Sequence, residues 1–386
     1  MGLDQLSATK KAMIQNATFD IVVLTTFDEA QKLSFEYFLD EFKHRSEANS
    51  LKYKNVEFFV FVDVDFGVKL GSGGSVLFAL HYLEEKFGGN FLLKQKRILL
   101  IPVSGMSQRQ VNGTILGKIF NLAPLAADRE TTFFDIKMMS YEKLIPFMPP
   151  GVLIAASDIL EFYEDLPNFE GTSSKDICLS NRKIPDSIFK KDGFTVLAFK
   201  SDLKTAFNHG CYIFERKPEH DSAKFVEIHD DIRLVLQKPT AEELIKNHAC
   251  FVDQETAEKY TYIDGVLFVG FDAIETLINF IRSEKFRIDS EICTFGDFLR
   301  PLGAQNSIAY AKCSTQKKLY HLLRPFSIRG LIFRNSVFYH MGTFPELLRH
   351  YCSPLESSFM KNFGGGIKPI SNCIFLPKKC DTVTQD

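Results

Sequence analysis

Residues Arg97–Pro124 read RILLIPVSGMSQRQVNGTILGKIFNLAP: an apolar run, a polar loop and an apolar return. Ile98–Ile101 is apolar throughout, as a strand buried on both faces must be. The run breaks at Ser104-Gly105 into a loop carrying Ser107, Gln108, Arg109 and Asn112, and apolar residues resume around Lys118. A buried strand opening into a loop of small residues is one way an α/β protein grips phosphate. Backbone N–H groups at Ser104, Gly105 and Ser107 approach the anion, and Arg109 and Lys118 offset its charge. The spacing is G-x3-R-x8-K. The plainer reading of the same residues is a βα loop with two solvated cations.

Working outward, 386 residues suffice for two domains or one large α/β domain with additions. A net charge of −2 gives no electrostatic case for nucleic acid or a membrane surface. No segment reaches the roughly 18 apolar residues that span a bilayer. The first residues carry acids early and lack a continuous apolar stretch, so no signal peptide is expected. The eight cysteines are scattered without a CxxC pair, which reads as reduced, cytoplasmic thiols and not a zinc site or disulfide frame.

Upstream, Phe19–Thr25 reads as a buried strand and Asp28–Arg45 as a helix. Glu57–Val62 is a second buried strand, followed by Gly71-Ser72-Gly73-Gly74-Ser75 and a helix over Val76–Phe87. Strand, glycine-rich turn and helix make a second candidate anion cradle, lined by backbone N–H groups of Gly71, Ser72, Gly73 and Gly74. Downstream, Val152–Ala156 is a fourth buried strand ending at Ser157-Asp158. An acid just past the carboxyl end of such a strand sits where open α/β sheets bind ligands. It either holds Mg²⁺ or caps a helix expected at Ile159–Tyr163.

Further strands are expected at Thr195–Phe199, His209–Phe214, Val235–Gln237 and Tyr262–Phe268, the last interrupted at Asp264-Gly265. The proline after Lys238 predicts an extended lysine. The alternation predicts an α/β fold, a Rossmann-like mixed and largely parallel sheet covered on both faces. The handedness of crossovers then collects Gly105, Arg109, Lys118, Asp158 and Asp264 in connections at one carboxyl edge. Arg329–Phe338 reads as one or two short strands, and Pro345–His350 as helical.

Taken in order, the blocks IVVLTTFDEAQ, FVDVDFGVKLGSGGSVLFALHYLE, ILLIPVSGMSQRQVNGTILGKIF, HGCYIFE, LQKPT, YIDGVLF, FGDFLRPLG and NSVFYHMGT resemble the GDP-L-fucose pyrophosphorylase (fucose-1-phosphate guanylyltransferase) family. The same module occurs in bifunctional fucokinase enzymes. The resemblance implies the nucleotide-diphospho-sugar transferase fold, GTP and L-fucose 1-phosphate as substrates, and Mg²⁺. It implies an N-terminal extension over 1–17, a nucleotidyltransferase domain over 18–345 and a truncated, partly disordered region over 346–386. The family's C-terminal β-helix is expected to be largely missing. On this reading Arg109 and Lys118 are catalytic, and Asp158 with Asp297 holds the metal. Lys238 meets the sugar phosphate, and Asp264 with Gly265 the sugar; a surface cation and a turn residue are the alternatives. His209 is expected to be structural. Ser104, Gln110 and Val111 depart from the family's Gly and Leu-Pro, and fall on the phosphate loop. A non-catalytic homologue that binds nucleotide or nucleotide sugar and regulates a protein partner is therefore the second reading.

Overall fold

The structure, a computed structural model, describes residues 18–49, 52–63, 67, 69–89, 93–103, 105, 109–110, 112–123, 131–163, 188–219, 225–352 and 359. The expectations for 1–17 and for most of 346–386 lie outside these residues, as do Ser104, Ser107 and Val111.

Four strands, β1 (Ile21–Thr26), β2 (Glu57–Val62), β3 (Arg97–Pro102) and β4 (Gly151–Ala155), pair in parallel in the order β2-β1-β3-β4. The apolar runs of β1, β3 and β4 are explained by burial on both faces, whereas β2, expected to be buried, lies at the sheet edge with Val60 as its buried residue. Ile98 and Leu100 enter one apolar cluster, whereas Leu99 and Ile101 enter another, and β1 and β4 divide the same way. Helices Gly71–Lys86 and Phe271–Ser283 cover the first face; helices Glu29–Asn49 and Phe133–Glu142 cover the second. Each fully buried Leu, Ile or Phe contributes about 1.5–3 kcal/mol, so the divided burial fixes these strands in the centre.

After β5 (Ile159–Tyr163), the sheet continues through β6 (Phe194–Asp202), β7 (Gly210–Phe214), β8 (Val226–His229), β9 (Ile232–Gln237), β10 (Phe251–Val252), β11 (Lys259–Val269) and β12 (Ile328–Phe333). The path is β2-β1-β3-β4-β11-β6-β12-β8, with β11 and β8 running against the other strands. The sheet is therefore mixed and largely parallel, as the sequence predicts.

The helix expected after Asp158 does not form. Ile159–Tyr163 instead pairs antiparallel with β13 (Ser336–His340) in a separate two-stranded sheet. Its five residues include three β-branched or aromatic side chains, and a distant partner supplies the ladder. Asp158 thus has no helix to cap. The helix Phe344–Tyr351 runs across the boundary expected at 345. Leu347 of that helix packs in a third cluster with Phe133, Leu160, Tyr339 and Phe359.

β11 shapes the edge that matters. Val266 pairs with Ala155 at the end of β4, and β11 extends beyond it; Ile263 pairs there with Cys211 of β7. The β7–β9 pair therefore rises as a wall over the carboxyl edge of β4. No helix among the described residues is long and apolar enough to cross a membrane.

Candidate active site

β4 ends at Ala155, and Asp158 occupies the turn into β5. Lys118 donates to Asp158 Oδ2 at 2.9 Å, and His340 Nε2 lies 3.9 Å from the same oxygen. Lys118 is held by its neighbours. Ile119 and Phe120 are buried, and Phe120 packs on Phe35 and Phe38. Gly117, at φ 70°, takes a left-handed turn where a Cβ would meet the Phe35 ring at 2.5 Å. Opposite, Met341 N–H donates to the Asp158 carbonyl at 2.7 Å, and a Cβ on Gly342 would crowd both His340 and Asp158.

Burial pushes the Asp158 carboxyl up, but Lys118, then His340 and His209, outweigh it and hold it at about 2. A carboxyl whose pKa is lower when folded contributes stability above its unfolded value, and loses it as pH falls through the folded value. Asp158→Asn is therefore expected to cost about 2 kcal/mol at neutral pH. That cost should shrink as the pH falls from about 5 toward about 2, the window set by the unfolded and folded pKa values. Urea midpoints of both proteins across that range are the check; a cost independent of pH would contradict it.

Beside this pair opens a cleft of about 200 Å³. Arg109, Lys204, Lys238 and Arg349 line it with His209 and His340, and Glu346 is its single carboxylate. Glu346 is already engaged: it faces His340 Nδ1 at 3.0 Å and completes a capping box with Thr343. The His209 and His340 rings meet edge to face at 5.0 Å, and His209 Nδ1 lies 3.6 Å from Asp264 Oδ1. Asp264, His209, His340, Asp158 and Lys118 thus form a continuous polar chain under the cleft. Such an excess of cations over free carboxylates is suited to phosphate.

The fucose pyrophosphorylase domain model matches residues 90–377, a span that contains every one of these side chains. The chain belongs to the fucose pyrophosphorylase family. Fucose-1-phosphate guanylyltransferase of Homo sapiens is 29% identical over 373 residues, covering 89% of this chain and 56% of that protein. Its Mus musculus counterpart is 27% identical over 367 residues, with 87% and 57% covered. The chain thus spans little more than half the length of these curated relatives. A solved structure of UDP-glucose pyrophosphorylase complexed with UDP-glucose covers 89% of this chain and 82% of its own. Its TM-score is 0.37 at 12% identity, a likeness too remote to assign anything to individual residues.

In this fucose pyrophosphorylase domain several expected site residues have other work. Gly71–Gly74 is not an open cradle but a packing contact. The Gly73 N–H donates to the Ile292 carbonyl at 2.8 Å, and Ser72 Oγ accepts from Thr294 N–H at 3.0 Å. A Cβ on Gly71 would stand 2.4 Å from the Ile292 carbonyl oxygen, so these glycines admit a neighbouring segment. Asp297 is buried and committed: it accepts from Cys293 N–H at 2.7 Å, and from Arg300 and Gln316, each at 3.2 Å. Gly265 lies beneath the Phe338 ring, and its carbonyl accepts from Ala156 N–H at 3.2 Å.

Asp264 reaches the site differently from the expected loop. It sits within β11 at a bulge between Ile263 and Val266, which re-aims its side chain toward His209 and Gln237. Lys238 is not extended: its φ is 49°, and its N–H donates to the His209 carbonyl at 3.0 Å. A left-handed lysine costs about 1 kcal/mol or more, tolerated where surrounding contacts fix the turn. The sequence reading missed Lys204, His340, Glu346 and Arg349 and gave His209 only a structural part. For His340 a signal existed, because it stands inside the block NSVFYHMGT.

Gly105 takes φ 130° with open space where a Cβ would stand, which only glycine accepts readily. Gln110 is 0% exposed, and neither its Oε1 nor its Nε2 has a hydrogen-bond partner among the described residues. Where the resemblance expects leucine, the protein thus buries an unpaired amide. Gln110→Leu should raise stability by about 1 kcal/mol or more, the cost of leaving buried polar atoms unmatched. A higher urea midpoint with an unchanged slope is the expected result; a lower midpoint would show the amide to be satisfied.

No group of three or more His, Cys, Asp or Glu side chains among the described residues gathers as a metal centre. Among the described carboxylates at the cleft, Glu346 is engaged by His340 and Thr343 and Asp264 faces His209 and Gln237, which leaves Asp158 to offer a hard oxygen. Mg²⁺ commonly takes one or two protein carboxylates and completes its shell with waters and substrate phosphates. The donors present fit an ion carried by a nucleotide and do not fit a resident one.

Proposed function

We propose that this chain joins GTP to L-fucose 1-phosphate, giving GDP-L-fucose and pyrophosphate. The observation that carries the reading is the cationic cleft beside the Lys118–Asp158 pair, at the carboxyl edge of the parallel strands. A sugar phosphate oxygen attacks the α-phosphorus of GTP, and the bond from that phosphorus to the β-phosphate oxygen breaks. Little covalent work falls to protein, so the rate comes from alignment and charge. Arg109 grips the leaving phosphates with its planar fork, and Lys118 neutralises charge at the α-phosphate. Lys238 faces the sugar phosphate. Asp264, oriented by His209 and Gln237, sets the sugar side of the pocket. Asp158 would hold Mg²⁺, which when bound supplies further charge neutralisation on the phosphates. The free cysteines at 211, 250, 293, 313 and 352 are consistent with a cytoplasmic setting.

A second reading rests on Gln110: an unpaired buried amide in the phosphate loop is what a nucleotide-binding homologue with a regulatory role would tolerate. The two separate on product. Each of the four nucleoside triphosphates is incubated with L-fucose 1-phosphate and Mg²⁺, and nucleotide sugar is resolved by chromatography. GDP-fucose formed from GTP alone supports transfer. Bound GTP without product supports the regulatory reading.

A further inference from the structure

We propose that Lys204 and Arg349 join Lys238 in a second anion subsite that takes the phosphate of the sugar 1-phosphate. The proposal rests on the transferase reading and deepens it, and it comes from how the cleft is assembled. Arg109 and Lys118 both stand in the connection after β3, on one side of the β4–β11 seam. Lys204 and Lys238 come from the other side: Lys204 lies on the short helix Leu203–Ala206 after β6, and Lys238 follows β9. Arg349 comes from the last turn of the helix Phe344–Tyr351. Lys204 and Lys238 therefore reach the cleft from the side of the seam opposite Arg109, and Arg349 reaches it from a helix that borders the Arg109 loop. That arrangement suits two separate phosphate groups brought together for an in-line attack.

Arg349 is presented on an anchored element. Phe344 N–H meets the Arg109 carbonyl at 3.4 Å, and Glu346 faces His340. At the other end, Tyr351 OH donates to the Leu122 carbonyl and its ring packs on Phe133. The Arg109 loop and the Arg349 helix thus share a junction, so both phosphate grips are set by one piece of packing. Glu346, the carboxylate that lines the cleft, is engaged by His340 and Thr343, so an incoming dianion meets Lys204 and Lys238 without competition from it. Asn208, on the same wall, adds an amide donor.

Lys204→Met and Arg349→Met test this in the full chain, with thermal unfolding confirming the fold and Arg349→Lys as a milder second variant. Calorimetry reads L-fucose 1-phosphate, L-fucose and GTP separately. Each Met variant should weaken L-fucose 1-phosphate binding by about tenfold or more, the scale of one lost charge-assisted contact. GTP affinity should change by less than about twofold, because on this assignment neither Lys204 nor Arg349 touches the triphosphate. Binding of unphosphorylated L-fucose, far weaker, should not respond. Arg349→Lys should fall between parent and Arg349→Met. Equal losses for GTP and sugar phosphate would overturn the assignment and move both residues to the triphosphate. Unchanged sugar phosphate affinity in folded variants would overturn it outright. Because these are equilibrium titrations, they read the subsite even where nucleotidyl transfer fails, so the two ideas fall separately.

Discussion

Lys118→Ala is expected to lower the rate of nucleotidyl transfer by about 10²–10³-fold, or roughly 3–4 kcal/mol of transition-state stabilisation. The size follows from position. Lys118 is mostly shielded from water, fixed by Gly117 and Phe120, and 2.9 Å from Asp158 at the sheet edge. A cation so placed needs little rearrangement to face charge that develops at a phosphorus. The loss should fall on kcat more than on KM, because the interaction strengthens as charge moves to the leaving phosphates. Asp158 loses its partner in the same variant, so thermal unfolding must be followed alongside. A folded Lys118→Ala protein with parental turnover would remove the lysine from the mechanism.

The second large effect lies beneath the site. Lys137 and Glu161 are completely buried and 3.3 Å apart, and Tyr141 OH donates to the same Glu161 oxygen at 2.7 Å. Burial pushes the Lys137 ammonium down and the Glu161 carboxyl up, and each partner works against the other's shift. Lys137→Met leaves an unmatched carboxyl in the core and should cost about 3–5 kcal/mol. Lys137→Met with Glu161→Leu removes both charges and should restore most of that loss. The single variant's deficit should grow as pH rises, because a carboxyl raised by burial loses folded-state stability as it ionises. Urea unfolding of both variants over a pH series is the measurement; equal stability of single and double variants would contradict the pairing. The triad ties the helix Phe133–Glu142 to β5 and so steadies the turn that carries Asp158.

These two effects mark how far the sequence could be read. The central strands were legible because burial on both faces leaves uninterrupted apolar runs, and Ile98–Ile101 needs no partner to be recognised. Arg109, Lys118 and Asp158 were legible for a related reason: each follows such a strand, and the carboxyl edge is where α/β sheets bind. β5 was not, since its five residues take their ladder from Ser336–His340, far along the chain. Asp264 was expected in a loop because a bulge inside a strand resembles an Asp-Gly turn in one dimension. For Gly71–Gly74 and Asp297 the structure shows packing and hydrogen-bond partners that one dimension does not reveal. A glycine needed for close approach and an acid engaged by Cys293, Arg300 and Gln316 read in sequence like ligand-binding residues. Arg349 and Glu346 were invisible because nothing local links a helix after the last strand to the Arg109 loop.

Pyrophosphate release by the purified full chain with GTP, L-fucose 1-phosphate and Mg²⁺ tests the central claim most directly. The account predicts release that requires both substrates, saturates with each, and falls about 10²-fold or more in Lys118→Ala. A folded chain that binds GTP in the cleft yet releases no pyrophosphate would contradict transfer and leave a binding protein. A folded chain that binds neither GTP nor L-fucose 1-phosphate would contradict the phosphate reading of the cleft itself.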